Sequence, residues 1–221
     1  MSLRRLFTPL LLAGLLANPA FAREITHAMG VTDVPDHPQR IVVLTNEGTE
    51  ALLALGITPV GAVKSWLGNP WYDHISGQMT DVTVLGEESA VNLEVLVSLQ
   101  PDLILGNKQR HEKIYEQLSA IAPTVVSERL RGDWKINLAL YSDAIGKAEE
   151  GKALLAAFDA RVAALHDELG ASLDEKISIA RFMPGQTRIM FKDSFSGLIL
   201  SELGFQRPAS QDKDEFAEEI T

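Results

Sequence analysis

The chain has 221 residues, 46% of them hydrophobic, no cysteine, and a formal charge of −10. A body this acidic is a poor partner for nucleic acid or an anionic membrane surface, so any anion it holds must meet a local basic cluster. The absence of cysteine excludes a disulfide framework and a lipid-bearing cysteine within these residues.

The chain begins with Arg4 and Arg5, an apolar run from Leu6 to Leu16, and the small-residue pattern Ala20-Phe21-Ala22. That order reads as an export signal over residues 1–22, cleaved near Ala22. The run is shorter than the ~20 apolar residues a membrane-spanning helix needs. The expected mature chain is therefore a free periplasmic protein, two charges more negative once Arg4 and Arg5 are gone. At the other end QDKDEFAEEIT (Gln211 to Thr221) closes on neither strand nor helix, which leads to the expectation of a second lobe cut short.

From Ile41 one unit recurs: a short β-branched run, a polar loop, then helical periodicity. The runs are Ile41–Leu44, Pro59–Val63, Val82–Leu85, Asp102–Leu105 and Thr124–Val126. Strands alternating with helices at this spacing predict an α/β fold with mainly parallel sheets. Helices are expected at Glu50–Leu55, closed by Gly56, and after the cap Asn92, ending before Pro101. Others follow from Ile114, Leu118 and Ile121, and from Trp134, Leu138 and Tyr141, which keep one face at i, i+4, i+7. Leu155, Phe158, Val162, Leu165 and Leu169 then mark one long amphipathic helix, about 30 Å at 1.5 Å per residue, long enough to join two lobes. Beyond it, Lys176–Phe182 and Arg188–Phe191 read as strands, and Ser196–Leu203 as a helix ended by Gly204.

Three segments carry a resemblance: PQRIVVLTNEGTEALLALGITPVGAV (Pro38 to Val63), NLEVLVSLQPDLIL (Asn92 to Leu105) and KIYEQLSAIAPTVV (Lys113 to Val126). Together with SIARFMPGQTRIMF and SFSGLILSELGFQRP, they resemble the class III periplasmic binding proteins of iron-siderophore and cobalamin importers. The resemblance implies a lobe over 38–147, an interlobe helix over 148–170, and the start of a C-terminal lobe over 171–221. It also implies a cleft between the lobes, little hinge closure, and a protein that is not an enzyme. The implied ligand is a ferric siderophore, with a hydroxamate or citrate-hydroxamate favoured and no cofactor. The implied partner is an ABC permease of the inner membrane, and the protein is expected to be monomeric.

In open α/β sheets ligands sit beyond the carboxyl ends of the strands. The loops there hold Asn46-Glu47, Ser65-Trp66, Asn107 to Arg110, Ser127 to Arg129, and Arg181. An arginine fork can grip paired chelate oxygens, and aromatic rings can cover apolar flanks. The ligand-binding candidates are accordingly Arg110, Arg181, Lys108, Trp66 and Trp134. Each has a plainer alternative. Arg110 could pair with Glu112, Arg181 could close a strand-end salt bridge, and Lys108 could be a solvated loop lysine. Trp66 could plug its own loop, and Trp134 could be core. The resemblance further places Glu94, in NLE, on a surface that docks to permease arginines, although a carboxylate in a first helical turn is favourable anyway.

Direct Zn²⁺ or Mn²⁺ capture would need clustered histidines, whereas His27, His37, His74, His111 and His166 are scattered, with only His111 in a cleft loop. Cobalamin, haem and ferric citrate remain alternatives within the fold. A hydrolase finds no support, since G-x-G-x-x-G, the P-loop pattern and G-x-S-x-G are all missing. Ser194-Phe195-Ser196-Gly197 reads as a helix start, and Glu87-Glu88 as a solvated turn.

Overall fold

The computed structural model describes residues 22–220. Apart from Ala22, the expected export signal lies outside them. The chain order is a hairpin of β1 (Ala22–His27) and β2 (Gly30–Pro35), then β3 (Ile41–Val43), α1 (Asn46–Ala54), β4 (Gly61–Ala62), α2 (Asp73–Ser76) and β5 (Thr83–Val84). A small ribbon of β6 (Gly86–Glu87) and β7 (Ala90–Val91) leads to α3 (Leu93–Ser98), β8 (Leu103–Asn107), α4 (Lys108–His111), α5 (Tyr115–Ser119) and β9 (Thr124–Ser127). Then come α6 (Trp134–Ala144), the long α7 (Ala148–Leu169), β10 (Ala180–Met183), β11 (Gln186–Met190), α8 (Phe195–Leu203) and β12 (Ala217–Ile220).

The first lobe is built on five strands in the order β5-β4-β3-β8-β9, all parallel. Successive strand residues point to opposite faces, and here both faces are covered. Ile41, Val43, Leu103 and Leu105 pack on one side with Leu52 of α1 and Leu138 and Tyr141 of α6. Val42, Leu44 and Ile104 pack on the other with Leu96 of α3 and Leu118 of α5. This two-sided burial is why the strands read as continuous apolar runs instead of alternating ones. Helix α1 starts earlier than the predicted Glu50, because Thr45 Oγ1 accepts the Gly48 amide at 3.0 Å and caps it there. Gly48 is required at that start, since a Cβ would lie 2.7 Å from Val43 Cγ2.

Helix α7 runs 22 residues, about 33 Å at 1.5 Å per residue. Its predicted stripe from Leu155 to Leu169 is half-buried, and it packs on α6 at one end and α8 at the other. Gly151 lies within it, buried against Ser142 of α6.

The expectation of mainly parallel sheets holds for the central sheet but not for the second. Among the described residues its three strands, in the order β10-β11-β12, are antiparallel throughout. The physical reason is local: only Pro184 and Gly185 separate β10 from β11, and Gly185 has φ +78°. A two-residue link makes a hairpin, whereas a parallel pair needs a crossover of a dozen residues or more. Lys176 forms only an isolated bridge with Gln206, so β10 starts later than the predicted Lys176. The hairpin β1–β2 was not anticipated. It attaches to the sheet edge through Ala28 N–H to Val126 O at 3.1 Å.

Candidate ligand-binding cleft

The loops after the parallel strands and the face of the antiparallel sheet enclose a cavity of about 580 Å³. Asn46 and Glu47 reach it from the β3–α1 junction, Trp66 and Leu67 from the loop after β4, and Glu88 from the β6–β7 turn. Arg110 comes from α4, Arg131 from the loop after β9, and Arg181 and Arg188 from β10 and β11. Four guanidinium groups and two carboxyl groups therefore share one cavity in an otherwise acidic protein. Arg129 seals the two lobes beside it, with Nη1 and Nη2 donating to Asp193 at 3.2 and 3.1 Å.

The basic wall is assembled by strand register. Arg181 and Arg188 are directly opposed across the hairpin, an arrangement in which like charges repel. Arg188 Nε donates to Glu219 Oε1 at 2.9 Å. Arg181 has no ion-pair partner among the described residues. An anion in the cleft would relieve that repulsion. Across from them, Arg131 sits at φ +80° with its guanidinium carbon 3.9 Å from the centroid of the Phe216 ring, a cation–π contact that supports the side chain without neutralising it.

The acidic groups differ in environment. Burial pushes the Glu47 carboxyl up to about 7, against opposing hydrogen bonds from the Asn137 side chain and the Arg131 amide. Asn137 Nδ2 donates to Glu47 Oε1 at 2.6 Å. The expected solvated turn at Glu87-Glu88 is only half right. Glu87 is exposed and pairs with Lys64 at 2.7 Å, but Glu88 is 5% exposed. Its Oε1 accepts from the Asn46 amide at 2.7 Å and Asn46 Nδ2 at 2.9 Å, hydrogen bonds that make burial tolerable. His111 is buried beneath the cleft floor, and desolvation lowers its pKa.

A second cavity of about 390 Å³ adjoins the first and shares Asn46, Glu47, Tyr72 and Arg131 with it. Trp134, Leu138 and Phe195 make it apolar. The Trp134 ring meets Phe158 of α7 edge-on, with centroids 4.8 Å apart, and Phe195 of α8 at 5.9 Å. It thus serves interlobe packing and cavity lining at once.

Of the residues singled out from sequence, Arg110, Arg181 and Trp66 meet at the main cavity and Trp134 at its apolar neighbour. Trp66 is 62% exposed at the rim. Lys108 lines neither cavity, because its Nζ pairs with Glu128 at 3.0 Å. Glu94 is exposed in the first turn of α3. The sequence reading puts Arg131 in a cleft-side cluster with Arg129 and Gly132, two residues beyond the flagged loop, but does not count it among the ligand contacts. It passed over Arg188, whose pairing with Arg181 follows once Pro184-Gly185 is read as a two-residue turn.

The model of the family described as "Periplasmic binding protein" matches residues 41–220. The chain belongs to the periplasmic binding protein family. This binding protein is 56% identical over 190 residues to the probable siderophore-binding lipoprotein YfiY of Bacillus subtilis (strain 168), covering 86% of this chain and 58% of that one. It is 33% identical over 172 residues to the achromobactin-binding periplasmic protein of Dickeya dadantii (strain 3937), covering 76% and 56%. Among solved structures, Staphylococcus aureus SirA complexed with staphyloferrin B superposes with a TM-score of 0.83 at 36% identity, covering 90% of this chain and 70% of that one. The binding protein spans a little over half the length of the curated relatives it matches.

Proposed function

We propose that this chain captures an anionic ferric siderophore outside the cytoplasm and hands it to an ABC importer, without catalysing a reaction. The lobes over 38–147 and 171–221, joined by the helix over 148–170, would hold the chelate between them. The observation that carries this reading is the convergence of Arg110, Arg131, Arg181 and Arg188 on one cavity, in a chain whose net charge is −10. Arginine forks suit paired chelate oxygens, and a partly desolvated cleft strengthens each charge-assisted hydrogen bond. The names of its relatives, siderophore-binding and achromobactin-binding, support the ligand class.

Charge favours a citrate-hydroxamate over a neutral tris-hydroxamate. Three hydroxamates neutralise one ferric ion and bring no charge to Arg131 and Arg181, the two cleft arginines not paired with Glu88 or Glu219. A citrate-hydroxamate retains carboxylate charge and is the better match to four guanidinium groups facing two carboxyls. Trp66 and Leu67 would cover its exposed flank at the rim, and the apolar cavity at Trp134 and Phe195 would receive any carbon-rich arm.

Tryptophan fluorescence under titration tests the reading. The purified protein is titrated with ferric citrate-hydroxamate, tris-hydroxamate, catecholate and citrate complexes, and with cobalamin, haem and Zn²⁺. The expected result is saturable quenching at submicromolar concentration by the ferric citrate-hydroxamate and a much weaker response to its iron-free form. A response only to cobalamin, haem or Zn²⁺ overturns the ligand. Recovery of a cleaved chelate after incubation would make the protein a hydrolase.

A further inference from the structure

We infer that Glu88 is a positioning residue, whose buried carboxylate holds the Nε edge of Arg110 so that the terminal fork of that guanidinium faces the cleft. The inference rests on reading the cleft as the site of an anionic chelate, and it gives a role to a residue that the sequence placed in a solvated turn.

The geometry begins at the end of β8. The Asn107 amide donates to His111 Nδ1 at 3.1 Å, so the imidazole proton resides on Nε2, which donates to the Glu88 carbonyl at 3.0 Å. Asn107 is itself held by Ser127 Oγ of β9 at 2.9 Å. The backbone of Glu88 is thus tied to the centre of the parallel sheet through a buried histidine. Its side chain is tied to α1, because both Asn46 donors converge on Oε1. Only Oε2 is left, and it forms an ion pair with Arg110 Nε at 3.7 Å.

That separation is an ion pair longer than a hydrogen bond. It orients the guanidinium without occupying its Nη1 and Nη2 donors, for which no partner exists among the described residues. A guanidinium presents one edge at Nε and a fork at its terminal nitrogens, and the fork matches two oxygens of a carboxylate or hydroxamate. With the edge turned to Glu88, the fork is left for a ligand. The pairing also explains why a carboxylate is kept at 5% exposure beside a site for anions. A lone buried charge is costly, and removing either partner strands the other. An arginine already held in its bound orientation loses less freedom when the ligand arrives.

A double-mutant cycle separates this role from general scaffolding. Affinity for the tightest-binding ferric chelate is measured in wild type, Glu88→Gln, Arg110→Ala and the double variant. Glu88→Gln keeps the shape and an acceptor for Asn46, and is expected to weaken binding about tenfold, the scale of one charge-assisted interaction. In the Arg110→Ala background the same change is expected to matter less than about twofold. An equal loss in both backgrounds overturns the inference, since Glu88 would then act on the fold and not through Arg110. Arg110→Lys leaves Glu88 and its hydrogen bonds in place and removes only the fork; affinity within about twofold of wild type would also overturn it. A ligand-free readout is the ¹⁵N resonance of Arg110 Nε–H, expected to shift in Glu88→Gln; an unmoved resonance counts against the pairing. If the wild type binds no ferric chelate, the reading of the cleft falls, and that resonance alone decides whether Glu88 orients Arg110.

Discussion

Glu47 shows how a single side chain can link the cleft to pH. It caps neither strand nor turn, yet it lines both cavities and is pressed against Asn137 and the Arg131 amide. Burial raises its pKa from 4.5 to about 7. A carboxyl whose folded pKa exceeds its unfolded value binds its proton more tightly when folded. The stability it contributes is therefore complete below pH 4.5 and is lost as pH rises to about 7. Discounted for partial solvent contact, that loss is on the order of 2 kcal/mol. Unfolding free energies of wild type and Glu47→Gln, read from urea denaturation between pH 4.5 and 8, should diverge by this amount, with the wild type the more pH-sensitive; parallel curves would remove Glu47 as the source. The residue scale is also where sequence reading was least complete. Glu88 appeared as one of two adjacent acids, and only the fold buries one of the pair while leaving the other with Lys64.

Among the elements, α7 and the second sheet carry the interlobe geometry. The half-buried stripe of α7 was legible because 3.6-residue periodicity survives translation into packing. Its docking onto α6 was not, since that depends on Gly151. A Cβ there would overlap the Ser142 hydroxyl and Cβ. Gly151→Val is expected to cost about 1–3 kcal/mol by overpacking, and Ser142→Gly in the same chain should recover much of it, as read by urea denaturation. No recovery would mean that the loss comes from the helix and not from the contact. The antiparallel second sheet has a comparable lesson. Two of its three strands were visible as apolar runs, whereas β12 lies in the acidic stretch read as closing on neither strand nor helix; the direction of the first pair was set by a two-residue turn, and with it the register that opposes Arg181 to Arg188.

For the whole molecule, net negative charge and a cationic cleft do separate jobs. Only charges within roughly a Debye length, about 8 Å at physiological salt, act strongly on a bound chelate, so the acidic exterior is left free to face other surfaces. Glu94 belongs to that exterior, exposed in the first turn of α3 and outside the cavity lining. If it docks to a permease, Glu94→Ala should leave chelate affinity unchanged within about twofold while uptake by permease-containing vesicles falls. Loss of chelate binding instead would assign it to the fold.

The sequence by itself determined the α/β alternation, the five parallel strands, the long helix and the loops in which a ligand would lie. These features depend on local periodicity and on residues that start or stop helices. Three of the five proposed ligand contacts, Arg110, Arg181 and Trp66, lie on the main cavity for the same reason, since each lies in or just after a strand recognisable from its own residues. The tertiary structure decided which charges meet. Lys108 turns to Glu128, Arg129 locks to Asp193, and Arg131 and Arg188 enter the cleft. Those outcomes depend on register, burial and partners far apart in the chain, which no local pattern encodes.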